Sequence, residues 1–204
     1  MQTLNETVNK RINEIHDKYL NIISPFIMQI EVLDGEHPVE IMNEIRAVFG
    51  HLSKCHLSSD DNFIERNLSK ADSHIKRAII DCFKYLCFAY ENKYIDFDKK
   101  FKKTDLSDID NGEFLPNLCL KRKRSMDKLV NAKVLELSQT DDDTLFQAFE
   151  EAYNTYADVY NYIGESYAKL ERVRRKARNR NVWAIIGYCV GVAGLLASIV
   201  SIIL

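Results

Sequence analysis

Apolar side chains in the first 170 residues recur every three or four positions and nowhere alternate over a useful length, which is the period of an amphipathic helix. Leu4, Val8, Ile12, Ile15, Tyr19, Ile22 and Phe26 keep that spacing, so a first helix is predicted from about Thr3 to Leu33, kinked at Pro25. Asp34-Gly35-Glu36-His37 turns the chain. Pro38 suits the first turn of a second helix, whose buried face is Ile41, Ile45, Val48, Phe49, Leu52 and Cys55. Ser58 to Asp61 offers caps for a third, unusually long helix reaching about Lys103, with Leu68, Ala71, Ile75, Ile79, Phe83, Leu86 and Tyr90 on one side. Asp105 to Pro116, containing Asn111-Gly112, reads as the clearest loop. A fourth, basic helix runs to about Ser138, and Thr140 to Asp143 place acidic caps where the dipole of a final helix favours them. The predicted fold class is all-α, a bundle of long helices.

The pattern changes after Asn181. Val182 to Leu204 contain no charged side chain, and 23 residues of helix span roughly 34 Å, enough for a hydrocarbon core of about 30 Å. A single C-terminal transmembrane helix, continuous with the last soluble helix, is therefore expected. Three regions follow: a helical bundle over 1–170, a basic juxtamembrane segment over 171–181, and the span over 182–204. Arg172, Arg174, Arg175, Lys176, Arg178 and Arg180 stand against one acidic residue, Glu171, and such density beside a span marks the cytoplasmic side of an inner (plasma) membrane. Trp183 fits the interfacial aromatic belt. Met1 to Glu14 is too polar for a signal peptide, so the expectation is a tail-anchored, single-pass chain with membrane lipid as a partner and its N-terminal domain in the cytoplasm.

Small residues mark one edge of the span: Ala184, Gly187, Gly191, Gly194, Ser198 and Ser201 recur at alternating steps of three and four. Such edges let membrane helices approach closely. Counting back at the same steps gives Arg180, Ala177, Val173, Leu170, Ser166, Ile163, Val159, Tyr156, Ala152 and Phe149, a heptad unbroken from the soluble helix into the span. Self-association of copies along this edge is the leading expectation, as a dry seam or a water-filled ring. Packing of the soluble part on the chain's own helices is the alternative.

Charge and composition narrow the partners. Residues 1–170 hold 22 basic against 29 acidic side chains, a balance of −7, which excludes a general nucleic-acid binder and makes DNA an unexpected partner. Cys55, Cys82, Cys87, Cys119 and Cys189 are odd in number and never spaced C-x-x-C, so reduced, mostly buried thiols are expected. There is no Gly-rich phosphate loop, no H-E-x-x-H and no local Ser-His-Asp arrangement, and no cofactor is implied. His51, His56 and His74 with Cys55 do not form a legible ligand pattern, so no metal is expected.

Two polar constellations carry what chemistry there is. Lys70, His74, Arg77, Asp81 and Lys84 lie on one face of the third helix at steps of four, three, four and three, spacing that allows Arg77–Asp81 and Asp81–Lys84 pairs. Glu44 and His51 of the second helix are expected to meet that stripe in an ionic network, the alternative being a solvated face. Lys121-Arg122-Lys123-Arg124 reads as a solvated basic face.

Arg46-Ala47-Val48-Phe49-Gly50-His51 has an R-x4-H spacing that resembles the R-x4-6-H signature of HEPN proteins, small helical bundles in which Arg and His from two protomers converge on an RNA phosphate. That resemblance implies His51 as proton carrier and Arg46 as charge partner of the phosphate, although Ala47 stands where the family usually places a polar side chain. A helical body with such a pair and one membrane helix resembles the accessory membrane proteins of type VI-B CRISPR systems. The resemblance implies a bacterial homo-oligomer that forms a bundle or pore in antiviral defence beside an RNA-targeting CRISPR effector. Two alternatives stay open: a membrane-tethered HEPN-type ribonuclease using Arg46 and His51, and a tail-anchored coiled-coil adaptor or fusion protein.

Overall fold

A computed structural model of the chain describes residues 5–35, 37–138 and 140–203, the last nine of these as backbone alone. Among them every regular element is helical, in the order α1 (Glu6–Lys18), a π turn (Tyr19–Ile23), α2 (Ser24–Asp34), α3 (Val39–Cys55), α4 (Asp61–Phe101), a 3-10 turn (Ile109–Gly112), α5 (Phe114–Leu137) and α6 (Asp142–Ile203).

Most ends follow from local chemistry. The Asn5 side chain caps α1 by accepting the Val8 N–H at 2.9 Å. The expected kink at Pro25 is a π turn. Proline has no N–H to offer the carbonyl four residues back, and the widened turn immediately before it, closed by Ser24 N–H to the Tyr19 carbonyl, absorbs the misfit. Gly35 ends α2 at φ 74°, its N–H returning to the Glu31 carbonyl. Asp60 and Asp141 accept the N–H groups of Asn62 and Thr144 at the starts of α4 and α6.

The loop expected over Asp105 to Pro116 is shorter than predicted. Asp110, Asn111 and Gly112 all take positive φ (49°, 57°, 92°), and α5 is already under way at Phe114. Pro116 misleads as a loop signal because in the first turn of a helix its missing N–H would have had no partner.

The chain folds into two compact units. The first comprises the residues up to Ile95 with Lys121–Tyr160. Its core joins Ile12, Ile15, Ile23 and Ile30 of the N-terminal helices to the inward rows of α3 and α4, closed by Ala132, Phe149, Ala152 and Tyr156. Aromatic rings fill the centre, Phe83 lying 5.3–5.6 Å from Phe26, Phe146 and Tyr153. The second unit comprises Asp96–Leu120 with Asn161–Leu204. It buries Phe97, Phe101, Leu106, Ile109, Phe114, Leu118 and Leu170, stacks Phe114 on Tyr162 and ties Lys169 to Asp110.

The heptad face of α6 divides between them. Phe149, Ala152, Tyr156 and Val159 are buried in the first unit, and Ser166 and Leu170 in the second. These positions pack on the chain's own helices, which removes them from any coiled coil between copies. From Arg180 to Gly194 every position is exposed.

Among the described residues no helix is long and apolar enough to cross a membrane. Of the charge-free run only Val182 to Gly194 has described side chains, and those 13 residues make about 20 Å of helix. Leu204, and the side chains of Ser198 and Ser201, lie outside the described residues.

Candidate functional site

Glu44 and His51 are seven residues apart on α3, and Asn67, His74 and Asp81 are seven apart on α4, so each set forms a row along one helix face. The antiparallel α3–α4 hairpin sets the rows against each other. The Glu44 carboxylate accepts from His74 Nδ1 at 2.6 Å, and His51 Nδ1 meets Asn67 Oδ1 at 2.9 Å. The two imidazoles stack at 5.3 Å with 19° between their planes. Asn67 is buried and donates its amide N–H to the Phe63 carbonyl, which turns Oδ1 toward His51 and assigns the Nδ1 proton to the histidine. Each ring is left with Nε2 as acceptor when neutral and as donor when protonated.

The row continues into an ionic cluster. Lys84 reaches Asp81 at 3.1 Å and also Glu136 of α5, which takes Lys133 at 3.2 Å, and both ammonium groups sit over the Phe149 ring, 5.0 and 5.6 Å from its centroid. The two carboxylates respond oppositely. Burial pushes Asp81 above the usual value, outweighing Lys84, with the Glu44 and Glu136 charges adding to the rise. At Glu136 burial is outweighed by Lys84 and Lys133, which hold it below its usual value. Burial of Lys84 is likewise outweighed by its two carboxylates, so its ammonium is held above the usual lysine value. The cations at Glu136 thus offset its burial in full, and Lys84 offsets that of Asp81 only in part.

His51 also edges an open cleft of about 250 Å3 shared with Lys54, Phe63, Arg66, Asn67 and Lys70. Among the described residues Lys54 and Lys70 make no ion pair, and Arg66 Nε donates to the Asn62 carbonyl. Three cations therefore surround one oriented histidine.

Several predicted residues stand apart from this arrangement. Arg46 is exposed and bonds Asn43 at 3.2 Å, while His51 faces α4; positions five apart lie about 140° apart around a helix, so one chain does not bring the pair together. Arg77 is exposed and donates to the Ser73 carbonyl; of the two expected pairs Asp81–Lys84 forms, and Arg77–Asp81 does not among the described residues. In the basic run, Arg122 is half-buried, paired with Glu91 and stacked 4.1 Å over Tyr94. It is a packing residue, not part of a solvated face.

Cys55, Cys82 and Cys87 are buried, and burial pushes the latter two thiols up to about 12. Cys119 and Cys189 are exposed, so three of the five free thiols are buried, in line with the expectation of mostly buried thiols. No group of three His, Cys, Asp or Glu side chains fit to hold a metal occurs among the described residues.

On α6, Arg172, Arg174, Arg175, Lys176, Arg178 and Arg180 are all exposed, and so are Ala184, Gly187, Gly191 and Gly194. Large apolar side chains beside them are uncovered as well, Trp183 at 72%, Tyr188 at 75% and Val190 at 66% of full exposure. A Cβ built on Gly187, Gly191 or Gly194 would meet nothing within 4 Å. No family model, no curated protein and no solved structure matches the chain.

Proposed function

We propose that this protein is a bacterial membrane effector: its α6 segment from Val182 onward enters the inner membrane, copies associate along Ala184, Gly187, Gly191, Gly194, Ser198 and Ser201, and the resulting bundle or pore perturbs the bilayer. The observation that carries the reading is the uncovered apolar surface of α6 beyond Asn181. Contiguous exposed Trp, Ile, Tyr and Val on a single helix is unfavourable in water at roughly 25 cal/mol per Å2, so another phase or another chain must cover it. Lipid fits the site because six exposed basic residues precede it and no charge follows. Copies of the same helix fit the glycine edge, since among the described residues nothing lies within 4 Å of a Cβ built on Gly187, Gly191 or Gly194.

The body lies on the cytoplasmic side in this reading, and the resemblance to accessory membrane proteins of type VI-B CRISPR systems supports a role in antiviral defence beside an RNA-targeting effector. Vesicle flotation and dye release by the full chain test the proposal. Wild type should float with vesicles and release dye; Gly191→Leu should still float but lose most of the release. Recovery of the wild type in the unbound fraction would refute it.

A membrane-tethered ribonuclease is the second reading, favoured by the oriented His51 beside Lys54, Arg66 and Lys70. RNA cleavage by the purified protein that disappears in His51→Ala would establish it; equal cleavage by both would exclude His51 as its base.

A further inference from the structure

The second unit contains a larger cleft, about 650 Å3, whose walls come from the end of α4 and the basic stretch of α6. Lys100 enters from the end of α4 and Lys103 from the turn that follows it, and Arg174, Arg175 and Arg178 from α6, against a single carboxylate, Glu171. The carboxylate is already committed: Glu171 pairs with Lys100 at 2.6 Å and approaches Arg174 at 3.6 Å, and its hydrogen bond from Lys100 holds it below the usual glutamate value. Lys100 is further fixed by the Tyr167 hydroxyl and lies 4.8 Å over that ring. Arg174 leans 5.9 Å from the Phe101 ring centroid. Two of the five cations are thus anchored in place, while Lys103, Arg175 and Arg178 make no ion pair among the described residues.

The lining turns apolar toward its last residues on α6. Val182 and Ile185 line it there, four and seven residues beyond Arg178, or about 6 and 10 Å along the helix axis. An anion held by Arg178 and Lys103 would sit with its next atoms against the charge-free run. That geometry suits a molecule with a phosphate at one end and hydrocarbon at the other.

We propose that this cleft binds the phosphodiester headgroup of an anionic phospholipid, with Lys103, Arg175 and Arg178 contacting the phosphate, Lys100 and Arg174 supplying the field around it, and the acyl chains running along Val182 and Ile185. The proposal rests on α6 entering a bilayer and adds to it a discrete site in place of a diffuse basic collar. It also gives Lys100 and Lys103, remote in sequence from the collar, a part in lipid choice.

The test uses the full chain and vesicles of phosphatidylcholine with or without one-fifth phosphatidylglycerol, reading binding by co-sedimentation. Wild type should prefer the anionic vesicles about tenfold or more, as expected when several cations act near the surface. Lys103→Gln with Arg178→Gln should abolish most of that preference while leaving binding to neutral vesicles unchanged. Arg172→Gln with Lys176→Gln removes the same charge from α6 outside the cleft and should reduce the preference less than twofold. Equal losses in the two double variants would overturn the cleft while leaving membrane entry intact. Failure of the wild type to bind either vesicle would overturn both. Millimolar inorganic phosphate should not erase the preference in wild type at matched ionic strength; its doing so would assign the cleft to a soluble anion and overturn the lipid.

Discussion

Lys84 shows most clearly what single residues contribute. It holds together two half-buried carboxylates that would otherwise repel each other, and its stem covers Phe149. Lys84→Met keeps the stem and removes the charge, leaving Asp81 without its cation and Glu136 with Lys133 alone. Unfolding should become easier by about 2 kcal/mol at neutral pH, measured by urea denaturation. The sign of the pH dependence follows from the shifts. Glu136, held below its usual 4.5, contributes stability that is complete above that value and lost as pH falls through its lowered folded value. Lys84, held above 10.5, contributes stability complete below that value and lost as pH rises through its raised one. Asp81 runs the other way, because a raised carboxylate is relieved by protonation. The gap between wild type and Lys84→Met should therefore be widest between about pH 6 and 10 and should narrow on acidification below 4.5. A gap that widened in acid would contradict this assignment.

Among the elements, α6 holds two environments on one rod. Phe149, buried under two ammonium groups, is a core residue, and Phe149→Ala should cost about 3–5 kcal/mol. Gly191 has open space around it, so Gly191→Leu should leave the unfolding free energy of the helical bundle within about 0.5 kcal/mol of wild type, and under the proposed self-association it should alter the mass of the detergent-solubilised protein. If Gly191→Leu left that mass unchanged, the small-residue edge would have no partner-facing role. The N-terminal pair α1 and α2 carries a different lesson: the π turn before Pro25 accommodates the proline while keeping Ile23 buried.

For the whole molecule, the two exposed thiols report its surroundings. Cys119 lies on α5, remote in sequence from the charge-free run, while Cys189 lies inside that run. In detergent-free vesicles a membrane-impermeant maleimide should modify Cys119 within minutes and leave Cys189 unmodified, whereas Cys55, Cys82 and Cys87 should react only on unfolding. Rapid labelling of Cys189 in vesicles would count against insertion of α6. The experiment separates insertion from mere adhesion through Arg172 to Arg180, which would leave the thiol open to reagent.

Helical period, capping residues and scarce glycine determined the all-α class and the order of the long helices, because those signals act over a few residues and need no partner. The π turn at Pro25 and the early start of α5 escaped them, since a proline reads the same at a kink, in a loop and in a first helical turn. Glu44, His51 and His74 were legible as rows seven apart. Asn67, which orients His51, was not, because only burial against α3 gives it a role. Tertiary structure alone decided that Arg46 turns away from His51, that Arg77 stays outside the ionic cluster, and that Lys100 and Lys103 join the basic stretch of α6, because each depends on which helix faces which. The heptad shows the same limit. Sequence gave one register from Phe149 to Ser201, yet packing fills its first half with the chain's own helices, since a period defines a face and never what covers it.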